Sequence, residues 1–184
     1  MEKKIVYFKT AGKANTDLTL KVARQRIEEL GVKQIVLASS HGYTAKKAKA
    51  MFVGLDVEII AVTICAAFHK EGWTMTSQER QELESMGIKV LTSLHALGDD
   101  VSATFDAKSP NQIVRETLYR FCQGMKVAVE VTLMAADAGL INISKEIIAI
   151  AGSDEGADTA LVLKPAYSGN FTDLKIKEIL AKPR

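Results

Sequence analysis

The period of apolar residues changes repeatedly along the chain, and the changes mark alternating strands and helices. Ile5, Val6, Tyr7 and Phe8 form a short apolar run of the kind that makes a buried strand, and Thr10–Thr16 carries the chain into a helix with Asn15 as its N-cap. From Thr16 to Leu30 the positions Leu18, Leu20, Val22, Ala23, Ile27 and Leu30 repeat at helical spacing, and Gly31 is the stop. A second unit follows. Ile35–Ala38 reads as a strand buried on both faces, Ser39-Ser40-His41-Gly42-Tyr43 as a turn, and Thr44 as the N-cap of a helix whose Ala45, Ala48, Met51 and Phe52 face inward while Lys46, Lys47 and Lys49 face water. The third unit is a strand over Val57–Ile64, a loop over Cys65–Met75 and a helix over Thr76–Met86, opened by the capping-box pattern Thr76-x-x-Glu79 and closed by Gly87. Ile88–Leu91 begins a fourth strand.

From Thr92 to Ser109 the pattern fails: Gly98, Asp99, Asp100, Ser102, Thr104 and Asp106 lie among few apolar residues, as in a functional or mobile loop. Ser109 and Pro110 suit the cap and first turn of a helix over Asn111–Phe121. Lys126–Leu133 is ambiguous by pattern, because Val127, Val129, Val131 and Leu133 alternate as in a strand. Glu146–Ala151 and Thr159–Lys164 read as two further strands joined by Gly152–Asp158, and Lys175–Leu180, with alternating charges, as a last strand suited to a sheet edge. Strands that alternate with helices of this length predict right-handed crossovers and a mainly parallel, mixed sheet covered on both faces: an α/β fold of three α/β/α layers, in one domain over residues 1–184.

Composition removes several classes of function. The formal charge is +2, with the lysines scattered, so there is no field that argues for nucleic acid or a membrane surface. The N-terminus enters a strand directly and no apolar run approaches the ~20 residues of a membrane span, so a cytoplasmic protein is expected. Cys65 and Cys122 lack metal-type spacing and read as buried free thiols. Gly-x-Gly-x-x-Gly after the first strand, Gly-x-x-x-x-Gly-Lys-Ser/Thr, Gly-x-Ser-x-Gly and His-Glu-x-x-His are all absent from the sequence. Their absence argues against a dinucleotide dehydrogenase, a nucleotide triphosphatase, an elbow-type hydrolase and a zinc protease.

Candidate chemistry gathers in the strand-to-helix loops, which in a parallel sheet share one edge. In the second unit a strand ends in a small polar turn at a helix N-terminus, which directs free backbone N–H groups and the positive end of the helix dipole into one volume suited to an anion. Gly42 allows a positive φ or close approach of a ligand, and the hydroxyls of Ser39, Ser40 and Thr44 can donate to phosphate oxygens. The same residues also suit a turn that only satisfies its own backbone. His41, His69 and His95, all the histidines of the chain, fall in these loops; a three-histidine metal site is conceivable, but no carboxylate pattern accompanies it and no ligands are assigned. Tyr43, Phe68 and Trp73 lie in the same loops, where a planar ring could stack, or where they pack on neighbouring helices.

Ala38-Ser39-Ser40-x-Gly42-x-Thr44-Ala45, followed by a helix rich in Ala and basic residues, resembles the effector-binding loop of the pyruvate kinase C-terminal domain, which holds a phosphate of a sugar bisphosphate. Lys4–Phe8, Asn15-Thr16, Met134-Ala135-Ala136-Asp137, Gly156-Ala157-Asp158-Thr159-Ala160 and Ile176–Ile179 extend the likeness to stand-alone archaeal and bacterial proteins classed as pyruvate kinase C-terminal domain-like, over nearly the whole chain. That resemblance implies an α/β fold, a bound flavin mononucleotide and no particular reaction. It also implies that Lys126–Leu133 is helical, continued by Met134-Ala135-Ala136, with Glu130 and Asp137 on a shared face. The pyruvate kinase active site belongs to a barrel domain that this chain lacks, so kinase activity is not carried over.

Two functions follow as expectations. The first is a flavin mononucleotide-binding protein, with an oxidoreductase role left open, whose phosphate rests on Ser39, Ser40, Gly42 and Thr44, with His41 beside them in the cofactor site. Gly152, Asp158 and Thr159 would close over the ligand from the far side, Asp158 facing ribityl hydroxyls or ring N–H groups or else capping Thr159 locally, and Asn15 and Thr16 would complete the ring from a third side. The second is a non-catalytic module that senses a sugar phosphate and signals through a partner or its own homo-oligomer. In both, the partner is a phosphate-bearing small molecule.

Overall fold

The structure, a computed structural model, describes residues 2–98, 100–107 and 109–184; Asp99, one of the polar residues of the Thr92–Ser109 stretch, lies outside the described residues. The strands are β1 (Val6–Phe8), β2 (Gln34–Ala38), β3 (Glu58–Thr63), β4 (Lys89–Thr92), β5 (Ile147–Ala151), β6 (Thr159–Lys164) and β7 (Lys175–Pro183), and they form one sheet in the order β1-β7-β6-β5-β2-β3-β4. The pairs β5–β2, β2–β3, β3–β4 and β1–β7 are parallel, while β6 runs antiparallel to both β5 and β7. Only β6 is reversed. The loop from Gly152 to Asp158 that leads into it is shorter than the dozen or so residues a parallel crossover needs, so β5 and β6 form a hairpin. The fold is therefore α/β with a mixed, mainly parallel sheet, as the alternation of patterns predicts.

Helices α1 (Thr16–Leu30), α2 (Tyr43–Met51) and α3 (Ser77–Ser85) cover one face of the sheet. Leu20, Ala23, Ile27, Ala45, Ala48, Phe52 and Leu83 meet the strand residues Ile35, Leu37, Ile59, Ala61, Ile148 and Ile150 there. The other face is covered by α6 (Gln123–Asp137), whose Met125, Ala128, Val131 and Ala135 pack on Val36, Ile60, Ala149 and Leu161. Adjacent strand residues thus serve opposite cores, which is why these strands read as continuous apolar runs. On the outer side of α6, Val129 and Leu133 pack with Leu97 and with Val114 and Leu118 of α5 (Pro110–Tyr119). A helix covered on both sides is apolar all round, and that accounts for the strand-like alternation of Val127, Val129, Val131 and Leu133.

Four expectations are corrected. The first strand is an edge strand rather than a buried one: β1 pairs only with β7, and Tyr7 is exposed. The last strand is internal, between β6 and β1, although β1 covers only Ala181–Pro183, so that Lys175–Lys177 stay exposed and keep their alternating charges in water. Helix α2 begins at Tyr43 with Gly42 as its N-cap, leaving Thr44 inside the first turn. The Thr92–Ser109 stretch contains a short helix, α4 (Asp100–Thr104). The caps of α3 and α1 follow expectation more closely. Thr76 and Glu79 close the reciprocal capping box, while Asn15 precedes α1 with its side chain donating to the Thr10 carbonyl at 2.8 Å instead of capping.

Candidate functional site

The carboxyl ends of β2, β3 and β5 open into a cleft of about 410 Å³, within the usual range for small-molecule sites. One wall is the turn after β2, with Ser39, Ser40, His41, Tyr43 and Thr44; the floor includes Val62, Thr63 and Ile64 at the end of β3. The opposite wall is a stripe of α6 at helical spacing, Gln123, Lys126, Val127, Glu130, Val131 and Met134, and the loop after β5 closes one end with Gly152 and Gly156.

Local sequence explains the turn. Gly42 has φ +83°, a conformation that side chains rarely adopt, and a Cβ there would also press on Leu83 at 3.3 Å. That glycine lets the chain reverse sharply from β2 into α2. Ser39 is buried and occupied: its N–H donates to the Val62 carbonyl at 2.9 Å, and its Oγ accepts the Ala45 N–H at 3.3 Å. Thr44, at 3% exposure, lines the cleft, and neither its hydroxyl nor that of Ser40 has a protein partner among the described residues. With the Ala45 N–H held by Ser39 and the Lys46 N–H by the Gly42 carbonyl, the first N–H groups of α2 are left toward the cleft. The wall thus presents unfilled donors at the positive end of a helix dipole.

The loop from Gly152 to Thr159 is built differently. Asp158 is fully buried; its Oδ2 accepts the N–H groups of Gly12 at 2.8 Å and Ser153 at 3.1 Å, and its Oδ1 accepts the Thr159 hydroxyl at 2.8 Å. Thr16 donates its hydroxyl to the Lys13 carbonyl and accepts the Ala157 N–H at 3.0 Å. Gly152 and Gly156 are required by close approach, since a Cβ would lie 2.5 Å from the Gly156 carbonyl oxygen and 2.5 Å from Thr16 Oγ1, respectively. Of the residues predicted from sequence, Ser39, Ser40, His41, Thr44 and Gly152 line the cleft. Asn15, Thr16, Gly42, Asp158 and Thr159 do not; their polar groups or backbone geometry hold together the loops that frame it.

Side chains at the mouth form their own pairs. Lys13 bridges to Glu155 at 2.8 Å and lies 4.5 Å above the Tyr43 ring, and the Glu155 carboxylate raises the lysine above its ordinary value. His41 meets Glu79 at 3.2 Å. Burial pushes Glu79 up, but the Thr76 N–H and hydroxyl, and then His41, outweigh it and hold the carboxyl below its usual range. His95 lines the cleft and stacks on Phe68 at 5.8 Å, and Phe68 stacks on Trp73 at 5.5 Å, so of the three loop aromatics only Tyr43 faces the cleft. His69 turns away to Thr74. The three histidines therefore have separate partners, and among the described residues no cluster of three or more His, Cys, Asp or Glu could hold a metal. Cys65 and Cys122 are free thiols.

The α6 side of the cleft was not legible as a site. Lys126 and Glu130 are 8% and 4% exposed and form an ion pair, while the second oxygen of Glu130 accepts the Leu97 N–H at 3.1 Å. The available signal was an i, i+4 charge pair inside an otherwise apolar helix. Glu130 and Asp137 do share a face, yet Asp137 serves elsewhere, accepting the Ser168 N–H at 3.0 Å.

Fold and cleft together define an open-sheet α/β domain with a concave site at its carboxyl edge. The chain matches the family described as pyruvate kinase, alpha/beta domain, over residues 17–163, and it belongs to that family. Solved structures similar to it include a pyruvate kinase from Cryptosporidium parvum, 14% identical with a TM-score of 0.38, in a match covering 73% of this chain and 20% of that one. Another is Cryptosporidium parvum pyruvate kinase in complex with ADP, 14% identical with a TM-score of 0.41, covering 98% of this chain and 25% of that one. The chain thus spans a fifth to a quarter of the length of these enzymes. Among the described residues, no helix is long and apolar enough to cross a membrane.

Proposed function

We propose that the cleft binds a phosphomonoester, its phosphate resting on the turn after β2, and that flavin mononucleotide is the first ligand to test. The observation that carries this reading is the pair of unpartnered hydroxyls, Ser40 and buried Thr44, beside the open N–H groups of α2. The apolar middle of the cleft, with Val62, Val127, Val131 and Met134, suits the carbon skeleton of the ligand. The contact set narrows to Ser39, Ser40, His41, Thr44 and Gly152, with Asn15, Thr16, Gly42, Asp158 and Thr159 supporting their positions. Flavin enters through the family likeness alone, and an oxidoreductase role would need an electron donor and acceptor besides.

Colour and affinity test it. Concentrated protein that is yellow, or that takes up added flavin mononucleotide, supports the flavin reading. Ser40→Ala and Thr44→Val each remove one donor to a charged group and should weaken flavin mononucleotide about tenfold. Wild-type affinity in both folded variants would reduce the turn to a helix cap. Membership of the pyruvate kinase alpha/beta domain family favours a second reading, a non-catalytic sensor of sugar phosphates. Colourless protein that refuses flavin mononucleotide but binds a sugar bisphosphate would select it.

A further inference from the structure

We infer that Lys126 is a second anchor in the cleft, an ammonium that hydrogen-bonds a carbonyl oxygen at the end of the ligand remote from its phosphate. The inference rests on the reading of the cleft as a phosphomonoester site, and it adds what the rest of the ligand must carry.

Three observations converge on Lys126. An ammonium has three N–H donors, and among the described residues its one hydrogen-bond acceptor is Glu130; the Tyr119 ring, 5.9 Å away, is a weak substitute. Glu130 has nothing further to offer, because one of its oxygens takes Lys126 and the other takes the Leu97 N–H. The lysine is nevertheless 8% exposed and lines the cleft, so its remaining donors have the cleft as their outlet. A buried ion pair is rarely better for stability than apolar residues of the same volume, and the neighbouring cleft positions Val127, Val131 and Met134 are apolar. A half-satisfied cation in that setting is best accounted for by an acceptor that arrives with the ligand.

Glu130 also sets the direction in which the ligand lies. A phosphate dianion beside its carboxylate would be repelled, so the phosphate belongs at the N-terminus of α2 and the opposite end of the molecule at α6. The substrate class is then an elongated phosphomonoester with an apolar or planar middle and a neutral carbonyl at its far end. The carbonyl edge of an isoalloxazine ring meets that description, and inorganic phosphate or a simple alkyl phosphate does not.

Titrations of flavin mononucleotide and of inorganic phosphate into wild type, Glu130→Gln and the double variant Lys126→Met/Glu130→Gln test the assignment. The double variant avoids a lone buried carboxylate, and the amide oxygen introduced by Glu130→Gln would keep an acceptor for the Leu97 N–H. It should bind flavin mononucleotide about tenfold more weakly and phosphate within twofold of wild type. Glu130→Gln alone, which removes the competing charge but keeps the ammonium, should hold phosphate unchanged and bind flavin mononucleotide equally or more tightly. Wild-type flavin affinity in the folded double variant would overturn the inference, since Lys126 would then only neutralise Glu130. Weakened flavin binding in Glu130→Gln would overturn it too, and so keeps the test decisive if the double variant fails to fold. Phosphate binding to wild type with no gain for flavin mononucleotide would leave the cleft reading intact and remove the second anchor. Binding of neither ligand would end both.

Discussion

Two loops at the same edge of the sheet both combine glycine with hydroxyl residues, and they have opposite fates. The turn after β2 and the loop after β5 are both short, both follow a buried parallel strand, and both carry glycine, hydroxyls and polar groups. In the first, the Ser39 hydroxyl takes the Ala45 N–H and the Gly42 carbonyl takes the Lys46 N–H, and Ser40 and Thr44 remain open to the cleft. In the second, Asp158 accepts the Thr159 hydroxyl and the N–H groups of Gly12 and Ser153, while Thr16 accepts the Ala157 N–H, so that the loop's polar groups are spent on the segment before α1 and on the loop itself. A polar residue at a sheet edge is available to a ligand only when no distant segment of the chain has already engaged it.

Substitutions can break this contrast, and the largest effect should come from Asp158→Ala. It strands two backbone N–H groups and leaves the Thr159 hydroxyl only the weak Cys122 Sγ contact, at a cost of about 3 kcal/mol, and should lower Tm by roughly 10 °C. Because its effect travels through the frame of the cleft, phosphate and flavin mononucleotide should weaken together; selective loss of flavin would return Asp158 to direct contact. Gly156→Ala should follow, at about 2 kcal/mol, since φ is +72° and a Cβ would lie 2.7 Å from the backbone of Lys13. Thermal melts check both. Ser40→Ala should do the reverse, moving Tm by less than about 2 °C while costing about tenfold in phosphate affinity by calorimetry. A Tm loss comparable to that of Asp158→Ala would erase the distinction between the loops.

Glu79 yields a pH effect. Its carboxyl is held below the ordinary 4.5, so it contributes stability above that pH, and the contribution is lost as pH falls through its lower folded value. Melting temperature should therefore decline below about pH 4.5, and Glu79→Gln should flatten part of that decline. The smallest expected effect is at the mouth: Glu155→Gln breaks an exposed bridge to Lys13 and should shift Tm by no more than about 2 °C, with the difference fading in high salt.

Local signals were the legible ones. The capping box at Thr76 and Glu79, the Gly31 stop and the apolar runs of β2 and β5 are set by neighbours a few residues apart, and they appear in the structure where the pattern puts them. Helix α2 starts two residues before the position its sequence suggests, because a glycine at positive φ takes the capping position that a threonine more commonly fills. Placement of β7 failed for a nonlocal reason: alternating charge marks exposure, and three residues of β1 cover only one end of that strand. Ser39, Ser40, His41, Thr44 and Gly152 could be placed on the cleft because strand polarity alone collects those loops. Lys126 and Glu130 could not, since an i, i+4 charge pair in a helix buried nearly all round does not by itself say that it faces a cleft.

By itself, then, the sequence determined the alternation of elements, the α/β class and the edge at which the strand-to-helix loops meet, all of which follow from periodicity and capping over a few residues. Which polar groups at that edge are free was decided only by the tertiary structure. The carboxylate of Asp158 is taken by Gly12, 146 residues away, and the Glu130 carboxylate by Leu97, 33 residues away, and no local pattern records bonds of that span. A residue's chemistry is written in its side chain, but its availability depends on desolvation and on partners that only the closed chain brings within reach.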